Sequence, residues 1–358
     1  MASSIIQGLV GKGYAHKLVP SQVGKKFIVT GGTNGIGLSI ARTLYAQGGD
    51  VLVMGSQQQT ADAALAYIRS GDLATAPHDY AAGFGTFKDA SGEGGAQNGK
   101  VAAKVVDFQD LKAVSKVAKE LANSYDRLDG FLGICGIGVN QFTLTDDGFD
   151  SHLTINNLSH QVLLSYLLPI LEKTSRDPDS DVRIVLMSSE LHRATFGGPN
   201  ETFGGDKFRT VDEFRKDVGQ SQLYARTKLA VILQAKSILQ RYLPSSKIKI
   251  ATTHPGAVAT GQTGQYEEAY GTTVGKIVQA AIRPIMKSPD DGALSALWAA
   301  TSPEARDPKY PNGSYFTNPE QLGGETSEAD DQELIDNFHD TGLKVIEETG
   351  AEVGPFKA

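Results

Sequence analysis

Tyr224 and Lys228 are the residues whose types and spacing most directly suggest proton transfer. They stand four positions apart in a stretch with helical periodicity, so both side chains fall on one helix face, a turn apart. A free phenol has a pKa of about 10, and a neighbouring ammonium lowers that pKa because it stabilises the phenolate. Such a tyrosine can give a proton to a carbonyl oxygen or take one from an alcohol. On its own, the pair also fits a solvated helix face.

Ser188 and Ser189 follow an apolar run, residues 182–187, that is typical of a buried strand. Ligands of open α/β sheets bind beyond the carboxyl ends of the strands. A serine hydroxyl at that point can hydrogen-bond the oxygen on which Tyr224 acts. Either serine can instead cap or turn the chain.

A glycine-rich turn, Thr30-Gly31-Gly32-Thr33-Asn34-Gly35-Ile36-Gly37, lies between a strand-like run and a helical stretch. Glycines let the backbone approach a pyrophosphate closely, and a helix N-terminus offers free N–H groups and a favourable dipole. A glycine-rich turn alone can be merely a tight connection. The strand before it and the helix after it favour dinucleotide binding.

The end of the second strand bears on the choice between NAD and NADP. An acidic residue there would accept a hydrogen bond from the ribose 2′-OH. Residues 54–59 read Met-Gly-Ser-Gln-Gln-Gln and contain no carboxylate. NADP(H) is therefore the predicted cofactor, with Ser56 beside it, and NAD(H) is possible because no Arg or Lys stands there. Ser56 can also be read as the cap of the next helix.

Short apolar runs alternate with longer helical stretches, which is typical of βαβ units. Most of the runs are continuously apolar, as in a parallel sheet covered on both faces. The sequence therefore predicts a Rossmann-type, doubly wound parallel sheet in a three-layer α/β/α fold. The predicted strands are residues 27–30, 51–54, 103–106, 130–134, 182–187 and 248–253, and the predicted helices include residues 36–47, 111–124, 150–171 and 223–242.

The βα pattern resumes after every interruption, so we predict an N-terminal extension, residues 1–24, and one catalytic domain, residues 25–358. Glycine-rich insertions are expected near residues 76–100 and 191–220, with another long loop at 260–275. The 191–220 insertion is predicted to cover the site with Phe196, Phe203 and Phe208 and to contain a helix from Thr210. The acidic stretch 330–333 is predicted to start another helix.

Composition narrows the class of protein. Hydrophobic residues make up 40% and charged residues 21% of the 358 positions, which are ordinary values for a soluble globular protein. A net charge of −7, with mixed signs, argues against nucleic acid as a partner. One cysteine excludes an intrachain disulfide and favours a reducing compartment, and the short apolar run near the start is too short for a membrane span. We therefore expect a cytoplasmic protein acting on a small-molecule substrate.

Several polar residues near these motifs are predicted to have no chemical role. His152, His160, His192 and His254 lack metal-ligand spacing, so each is expected to be structural and no metal is predicted. Glu190 is expected to be a solvent-facing loop carboxylate. Arg226 can simply face water.

In this order, the motifs resemble those of the single-domain branch of the short-chain dehydrogenase/reductase family. The matching features are Thr30–Gly37, Asp107, Asn156, Ser189, Tyr224 with Lys228, and Pro255-Gly256 followed by Thr260. The context Asp147-Gly148-Phe149 before Asn156, and the long gap between Ser189 and Tyr224, are similar to retinol-dehydrogenase-like members.

The resemblance implies a role for each catalytic residue. Tyr224 would be the general acid/base, and Lys228 would hold the nicotinamide ribose and lower the Tyr224 pKa. Ser189 would orient the substrate oxygen, with Ser188 as the fallback. Asn156 would kink its helix and hold a water that relays protons toward Lys228.

The resemblance also implies the cofactor contacts. Asp107, with Phe108 beside it, would hydrogen-bond the adenine, and Pro255, Gly256 and Thr260 would border the nicotinamide. The full set implied is Gly31, Thr33, Asn34, Gly35, Ile36, Gly37, Ser56, Asp107, Phe108, Gly136, Tyr224, Lys228, Pro255, Gly256, Val258 and Thr260.

One segment departs from the family pattern. Where the family has Asn-Asn-Ala-Gly after the fourth strand, this chain has Gly133-Ile134-Cys135-Gly136. Gly136 keeps the close backbone approach, but two asparagines that brace the sheet are absent. Cys135 is expected to be a small buried apolar residue.

The predicted function is NADP(H)-dependent transfer of a hydride to or from a carbonyl or alcohol, as a ketone reductase on a bulky, partly apolar substrate. The altered segment and the long loop leave open a non-redox enzyme on the same fold: a dehydratase, isomerase or cyclase. A dinucleotide sensor without turnover is a third possibility, disfavoured by the complete Asn156, Ser189, Tyr224 and Lys228 set. Helices resembling 150–171 and 223–242 often assemble family members into homodimers or homotetramers.

Overall fold

The strands form a single sheet in the computed structural model, which describes residues 13–78, 80, 99–194, 207–258 and 287–357. In chain order they are β1 (Lys26–Thr30), β2 (Asp50–Gly55), β3 (Val101–Val105), β4 (Gly130–Gly133), β5 (Arg183–Met187), β6 (Lys249–Thr253), β7 (Tyr315–Asn318) and β8 (Gln321–Leu322). Across the sheet the order is β3-β2-β1-β4-β5-β6-β7-β8.

The strand order reverses at β1, which pairs in parallel with both β2 and β4. Thr30, the last residue of β1, is in register with Met54 on one side and Gly133 on the other. The strands from β3 across to β7 are parallel, and β8 pairs with β7 antiparallel. The carboxyl ends of β1 and β4 therefore meet at a topological switch point, where open α/β sheets bind ligands. The predicted doubly wound α/β fold is confirmed.

Helices cover both faces of the sheet. They are α1 (Gly35–Ala46), α2 (Gln58–Ser70), α3 (Leu111–Ser124), α5 (Gln220–Tyr242), α6 (Pro289–Thr301) and α7 (Gln332–Glu348), and α4 spans residues 151–175 as an α turn (Ser151–Leu153), a π turn (Thr154–Leu158) and an α-helix (Ser159–Ser175). Ile28 and Val29 of β1 are both fully buried and belong to opposite core clusters. This two-sided burial explains why the strand sequences are continuously apolar.

Side-chain caps mark where several helices begin. The carboxylate of Asp110 accepts from the Ala113 N–H at the start of α3. Asp331 accepts from the N–H groups of Glu333 and Leu334 at the start of α7. These bonds satisfy N–H groups that a helix N-terminus leaves without intrahelical partners. The helix start predicted for residues 330–333 is confirmed.

The C-terminal part of the fold was harder to predict. Strands β7 and β8 were missed because they are short, and only the first half of β7 is buried.

The described end of the 191–220 insertion also differs from its prediction. The helix predicted from Thr210 is a 3₁₀ turn, Val211–Arg215. Phe208 does not cover the site: it is buried and its ring packs against Phe214 and Phe338 at centroid distances of 5.6 and 5.1 Å.

Large parts of the predicted insertions lie outside the described residues, with Phe196, Phe203 and the 260–275 loop. The division into an extension and one domain stays a prediction. Residues 13–24 of the extension are described, and His16 among them contacts two helices. Its Nδ1 lies 2.7 Å from Thr43 Oγ1 on α1, and its Nε2 lies 3.0 Å from the Asp290 carbonyl oxygen on α6. Among the helices that can be described, none is long and apolar enough to cross a bilayer.

Candidate active site

A cleft of about 690 Å³ opens at the carboxyl ends of the central strands. It brings together residues that lie far apart in the sequence. Those predicted as site residues and found in its lining are Gly31, Thr33, Asn34, Gly35, Ile36, Gly37, Ser56, Phe108, Gly136, Ser189, Tyr224, Lys228, Pro255, Gly256 and Val258. Thr260 lies outside the described residues. The exposed Asp107 is not in the described lining, and its carboxylate accepts from the Gln109 N–H at 2.9 Å.

The glycine-rich turn forms one end of the cleft and has no room for side chains. A Cβ on Gly37 would lie 2.3 Å from the carbonyl oxygen of Gly31, and a Cβ on Gly31 would lie 2.9 Å from Cα of Cys135. Helix α1 begins at Gly35, and the side chain of Asn34 accepts from the Gly35 N–H. A closed glycine turn leading into a helix N-terminus fits the pyrophosphate of a dinucleotide.

The end of β2 is fixed against this turn. A Cβ on Gly55 would lie 2.2 Å from Oγ1 of Thr33, so the Thr33 side chain packs directly against the Gly55 backbone. Ser56 is exposed and lines the cleft. The N-cap position of α2 is Gln57, so the reading of Ser56 as a helix cap is wrong. The Ser56 hydroxyl can contact a cofactor bound in the cleft.

Tyr224 and Lys228 lie on α5 with the Lys228 Nζ 5.5 Å from the centre of the Tyr224 ring. Nζ is buried and donates a hydrogen bond to the carbonyl oxygen of Met187, 2.9 Å away. Burial lowers the pKa of Lys228 to about 8, so the side chain is mostly a poorly hydrated cation at pH 7. A cation in that place stabilises a phenolate more strongly than one in water would.

The two serines after β5 have different surroundings. Oγ of Ser188 is buried and donates to the Lys228 carbonyl oxygen at 2.7 Å, which pins α5 to the sheet. Oγ of Ser189 accepts from the Leu191 N–H at 3.2 Å. Ser189 therefore keeps its own hydroxyl proton to donate into the cleft, whereas the Ser188 proton is committed.

Asn156 lies in the π turn of α4, behind the cleft wall. Its Oδ1 accepts from the Ile137 N–H at 2.7 Å, and its Nδ2 donates to the Ile137 carbonyl oxygen and to Thr227 Oγ1 at 3.1 and 3.0 Å. A Cβ on Gly136 would lie 2.9 Å from Asn156 Oδ1. The expected irregularity of this helix is present as a π turn, a feature common at functional sites. The water relay stays a prediction.

Arg226, between Tyr224 and Lys228, does not face water. Its side chain is 1% exposed, and its Nη2 lies 2.9 Å from Oδ2 of Asp150, which is fully buried. Asp150 also accepts from the His152 N–H at the start of α4. The ion pair therefore joins the beginnings of α4 and α5. The partner is too distant in the chain for local pattern to reveal it.

Glu190 is half-buried in the cleft lining rather than in a solvent-facing loop. Its Oε1 accepts from the hydroxyl of Tyr315 at 2.7 Å, and its Oε2 lies 3.0 Å from Nε of Arg193. Its N–H donates to Nδ1 of His254 at 3.2 Å. The sequence could not indicate this arrangement because Tyr315 belongs to the unpredicted strand β7.

Cys135 lines the cleft, and burial raises the pKa of its thiol to about 12. The thiol therefore stays protonated at neutral pH. Cys135 is half-buried in the cleft lining, however, and not fully buried as expected. Within the described part of the chain, no group of three His, Cys, Asp or Glu residues is arranged to hold a metal.

Comparison with known proteins places this arrangement among related sequences. A family model described as short chain dehydrogenase matches residues 25–82, which include the glycine-rich turn. A Neurospora crassa protein bearing the name of a mitochondrial oxidoreductase, bli-4, is 30% identical over 336 residues, covering 92% of this chain and 73% of the relative. Human retinol dehydrogenase 13 is 26% identical over 312 residues, covering 87% and 81% of the two chains.

Solved structures share the fold. A short chain dehydrogenase from Burkholderia cenocepacia in complex with NADP has a TM-score of 0.54 and 23% identity, over 84% of this chain and 98% of that one. The NADH-dependent reductase A1-R′ in complex with NAD also has a TM-score of 0.54, with 16% identity, over 85% and 98%.

Proposed function

Because the chain belongs to the short-chain dehydrogenase/reductase family, as a retinol-dehydrogenase-like, NAD(P)-dependent oxidoreductase, we propose that it is an NADP(H)-dependent reductase of a bulky, partly apolar ketone. The single observation that carries the proposal is the convergence of Ser189, Tyr224 and Lys228 on the cleft that also holds the glycine-rich turn. One cleft can then hold a dinucleotide and present a carbonyl to Tyr224.

In this proposal each residue has a defined task. A bound nicotinamide supplies or takes up the hydride. Tyr224 gives its hydroxyl proton to the carbonyl oxygen in reduction and takes a proton from the alcohol in oxidation. Ser189 donates a hydrogen bond to the same oxygen and orients it. Lys228 stabilises the phenolate and holds the ribose, and Asn156 holds the backbone at Ile137 beside them.

NADP(H) is proposed rather than NAD(H) because Ser56 presents a hydroxyl at the end of β2 and the described lining has no carboxylate there. A hydroxyl leaves room for a 2′-phosphate that a carboxylate would repel. The test is to identify the dinucleotide that copurifies by mass spectrometry and to compare kcat/KM for NADPH and NADH. A preference for NADH would overturn this part of the proposal.

The substrate class rests on the cleft. Beyond the reacting residues its lining includes the apolar side chains of Ile137, Val139, Met187 and Leu191. Apolar walls around a few polar groups suit a substrate that buries hydrocarbon and is oriented through one oxygen. A carbonyl panel of graded size, followed by oxidation of NADPH, tests this. Turnover of small ketones without turnover of bulky ones would contradict it.

The non-redox alternative is not favoured, because the related proteins carry the names of oxidoreductases and dehydrogenases. Conversion of a substrate without change in the absorbance of the reduced cofactor would instead support the non-redox alternative. The predicted cytoplasmic location stays a prediction, since the Neurospora relative is named as a mitochondrial protein.

Assembly into a homodimer or homotetramer through α4 and α5 also stays a prediction. The C-terminal part of this chain covers some of that surface. A Cβ on Gly342 of α7 would lie 2.9 Å from Gln161 of α4. The Phe356 ring stacks on Tyr242 of α5 at 4.4 Å, and its N–H donates to the Ser165 carbonyl oxygen. Light scattering coupled to size exclusion would give the mass of the particle.

A further inference from the structure

Thr30, His160 and Asn156 form a buried hydrogen-bond chain behind the cleft. His160 lies one turn after Asn156 on α4 and is 2% exposed. Its Nε2 is 2.8 Å from Oγ1 of Thr30, and its Nδ1 is 3.1 Å from the carbonyl oxygen of Asn156. The imidazole therefore bridges the end of β1 and the π turn.

The donors and acceptors around Thr30, His160 and Asn156 show which atom carries each proton in these hydrogen bonds. Oγ1 of Thr30 accepts from the N–H groups of Ile134 and Cys135 at 3.0 and 3.1 Å. A hydroxyl oxygen has two lone pairs, so its own proton points to Nε2 of His160. Its other possible acceptor, the Leu132 carbonyl oxygen, is farther away at 3.5 Å. Nδ1 then carries the ring proton and donates to the Asn156 carbonyl oxygen, which can only accept.

A doubly protonated His160 imidazole would not fit these hydrogen bonds. Both ring nitrogens would be donors, and Nε2 would face a Thr30 oxygen whose lone pairs are already used. Burial, together with the smaller effect of the nearby Lys228 charge, lowers the pKa of His160 to about 4. At neutral pH the ring is therefore a fixed, neutral link with one donor and one acceptor.

The backbone that this link holds is part of the cleft wall. Ile134, Cys135 and Gly136 line the cleft, and a Cβ on Gly136 would lie only 3.5 Å from Nζ of Lys228. Small shifts of this segment would therefore change its distance to Lys228 and to a bound dinucleotide. The side chains of Ile134 and Cys135 have no strong hydrogen-bonding group that could hold this segment in place. Its backbone N–H groups are bonded instead by the Thr30 hydroxyl, which His160 bonds in turn.

We propose that His160 is a positioning residue, which through Thr30 and the Asn156 carbonyl sets the place of the 134–136 backbone and thereby the affinity for the dinucleotide. Its effect on turnover, though not its effect on binding, rests on the proposed function. His160 touches neither substrate nor cofactor in this role. It acts through the backbone that does.

The test compares NADPH binding, followed by fluorescence titration, in three variants. His160→Phe removes both hydrogen bonds while retaining an aromatic ring, and we expect NADPH to bind at least tenfold more weakly and kcat to fall. His160→Gln offers an amide oxygen near the position of Nε2 and should recover part of the affinity. The matched control is His339→Phe, a residue of α7 that is also 2% exposed and bonds Tyr242 at 2.8 Å. The control should lower the melting temperature without changing the NADPH affinity.

A second pair keeps the proposal testable if His160→Phe does not fold. Thr30→Ser keeps the bridging hydroxyl, and Thr30→Val removes it at nearly the same volume. We expect weak NADPH binding from the valine variant and near wild-type binding from the serine variant. NADPH affinity and kcat within twofold of wild type in folded His160→Phe or Thr30→Val would overturn the proposal. Because binding is measured without turnover, a chain that binds NADPH but reduces no carbonyl would refute the proposed function and leave this test intact.

Discussion

Nζ of Lys228 donates to the carbonyl oxygen of Met187, the last residue of β5, at 2.9 Å, while Oγ of Ser188 donates back to the Lys228 carbonyl oxygen at 2.7 Å. These reciprocal bonds fix α5 against the carboxyl end of β5. The position of the ammonium is therefore set by the sheet rather than by the flexible lysine side chain. The same two bonds hold Ser189, which follows β5, and Tyr224 of α5 at one cleft.

Replacing Lys228 tests the role of this fixed charge. Because the pKa of Lys228 in the free protein is about 8, its charge is present below pH 8 and is lost as the pH rises through that value. Wild-type affinity for NADPH should therefore fall between pH 7 and 9. Lys228→Met should bind NADPH weakly throughout and show no such fall, measured by fluorescence titration at each pH. A parallel fall in both proteins would assign the pH dependence to another group.

Tyr224→Phe tests the proton donor. The phenyl ring keeps the packing, but no hydroxyl proton is available, so kcat for carbonyl reduction should fall by roughly 10²- to 10⁴-fold, the usual contribution of a general acid. NADPH binding should survive. Tyr166→Phe on α4 is the control, since its hydroxyl makes a long 3.5 Å contact with Ser115. Near-normal turnover in Tyr224→Phe would remove the assignment.

Ser56→Asp tests the choice of cofactor. A carboxylate at the end of β2 would repel a 2′-phosphate and accept from a ribose 2′-OH. We expect kcat/KM for NADPH to fall at least about tenfold, equivalent to about 1.4 kcal/mol, with NADH unchanged or improved. Gln58→Asp introduces the same charge two residues later, at an exposed position of α2, and should have a much smaller effect. Equal losses in the two variants would mean that charge alone, and not its position, lowers the affinity.

The Asp150–Arg226 pair should be essential as a pair. Arg226→Met leaves a buried carboxylate without its cation and should cost about 3–5 kcal/mol of unfolding free energy. Asp150→Asn combined with Arg226→Met should be less damaging than the two single losses added together, because neither charge is then buried alone. Urea denaturation of the four proteins gives the coupling energy. Additive losses would show that the two side chains act independently.

The stability of the protein should fall in mild acid. Burial lowers the pKa values of His16, His160, His254 and His339 to about 4 from an ordinary 6.5. The unfolded chain therefore binds protons first, so stability is complete above pH 6.5 and is lost as the pH falls toward 4. For a fully buried histidine such as His160 the loss is on the order of 3 kcal/mol. Urea unfolding at pH 7.5, 6 and 5 measures it, and His339→Phe should reduce the slope.

The sequence predicted best what is local or periodic. The glycine turn, the Tyr224–Lys228 spacing and the apolar strands each carry their signal within a few residues, and the structure brings them to one cleft. Side-chain partners that are distant in the sequence could not be predicted. Arg226 was read as water-facing because Asp150 is distant in the chain, and Glu190 as a loop residue because its partner Tyr315 lies on the unpredicted β7. Spatial neighbours of this kind leave no periodic pattern.

The hydrogen bond from Tyr315 to Glu190 also has a consequence for how the protein is made. The two residues are separated by 125 positions, so a ribosome releases the glycine turn, Ser189, Tyr224 and Lys228 well before it releases Tyr315. A nascent chain that has emerged only through α6 contains every residue proposed to handle the proton. It lacks β7, whose Tyr315 hydroxyl and Phe316 carbonyl oxygen bond Glu190 and His254 in the cleft lining. This part of the cleft lining is therefore completed only after β7 has been synthesised.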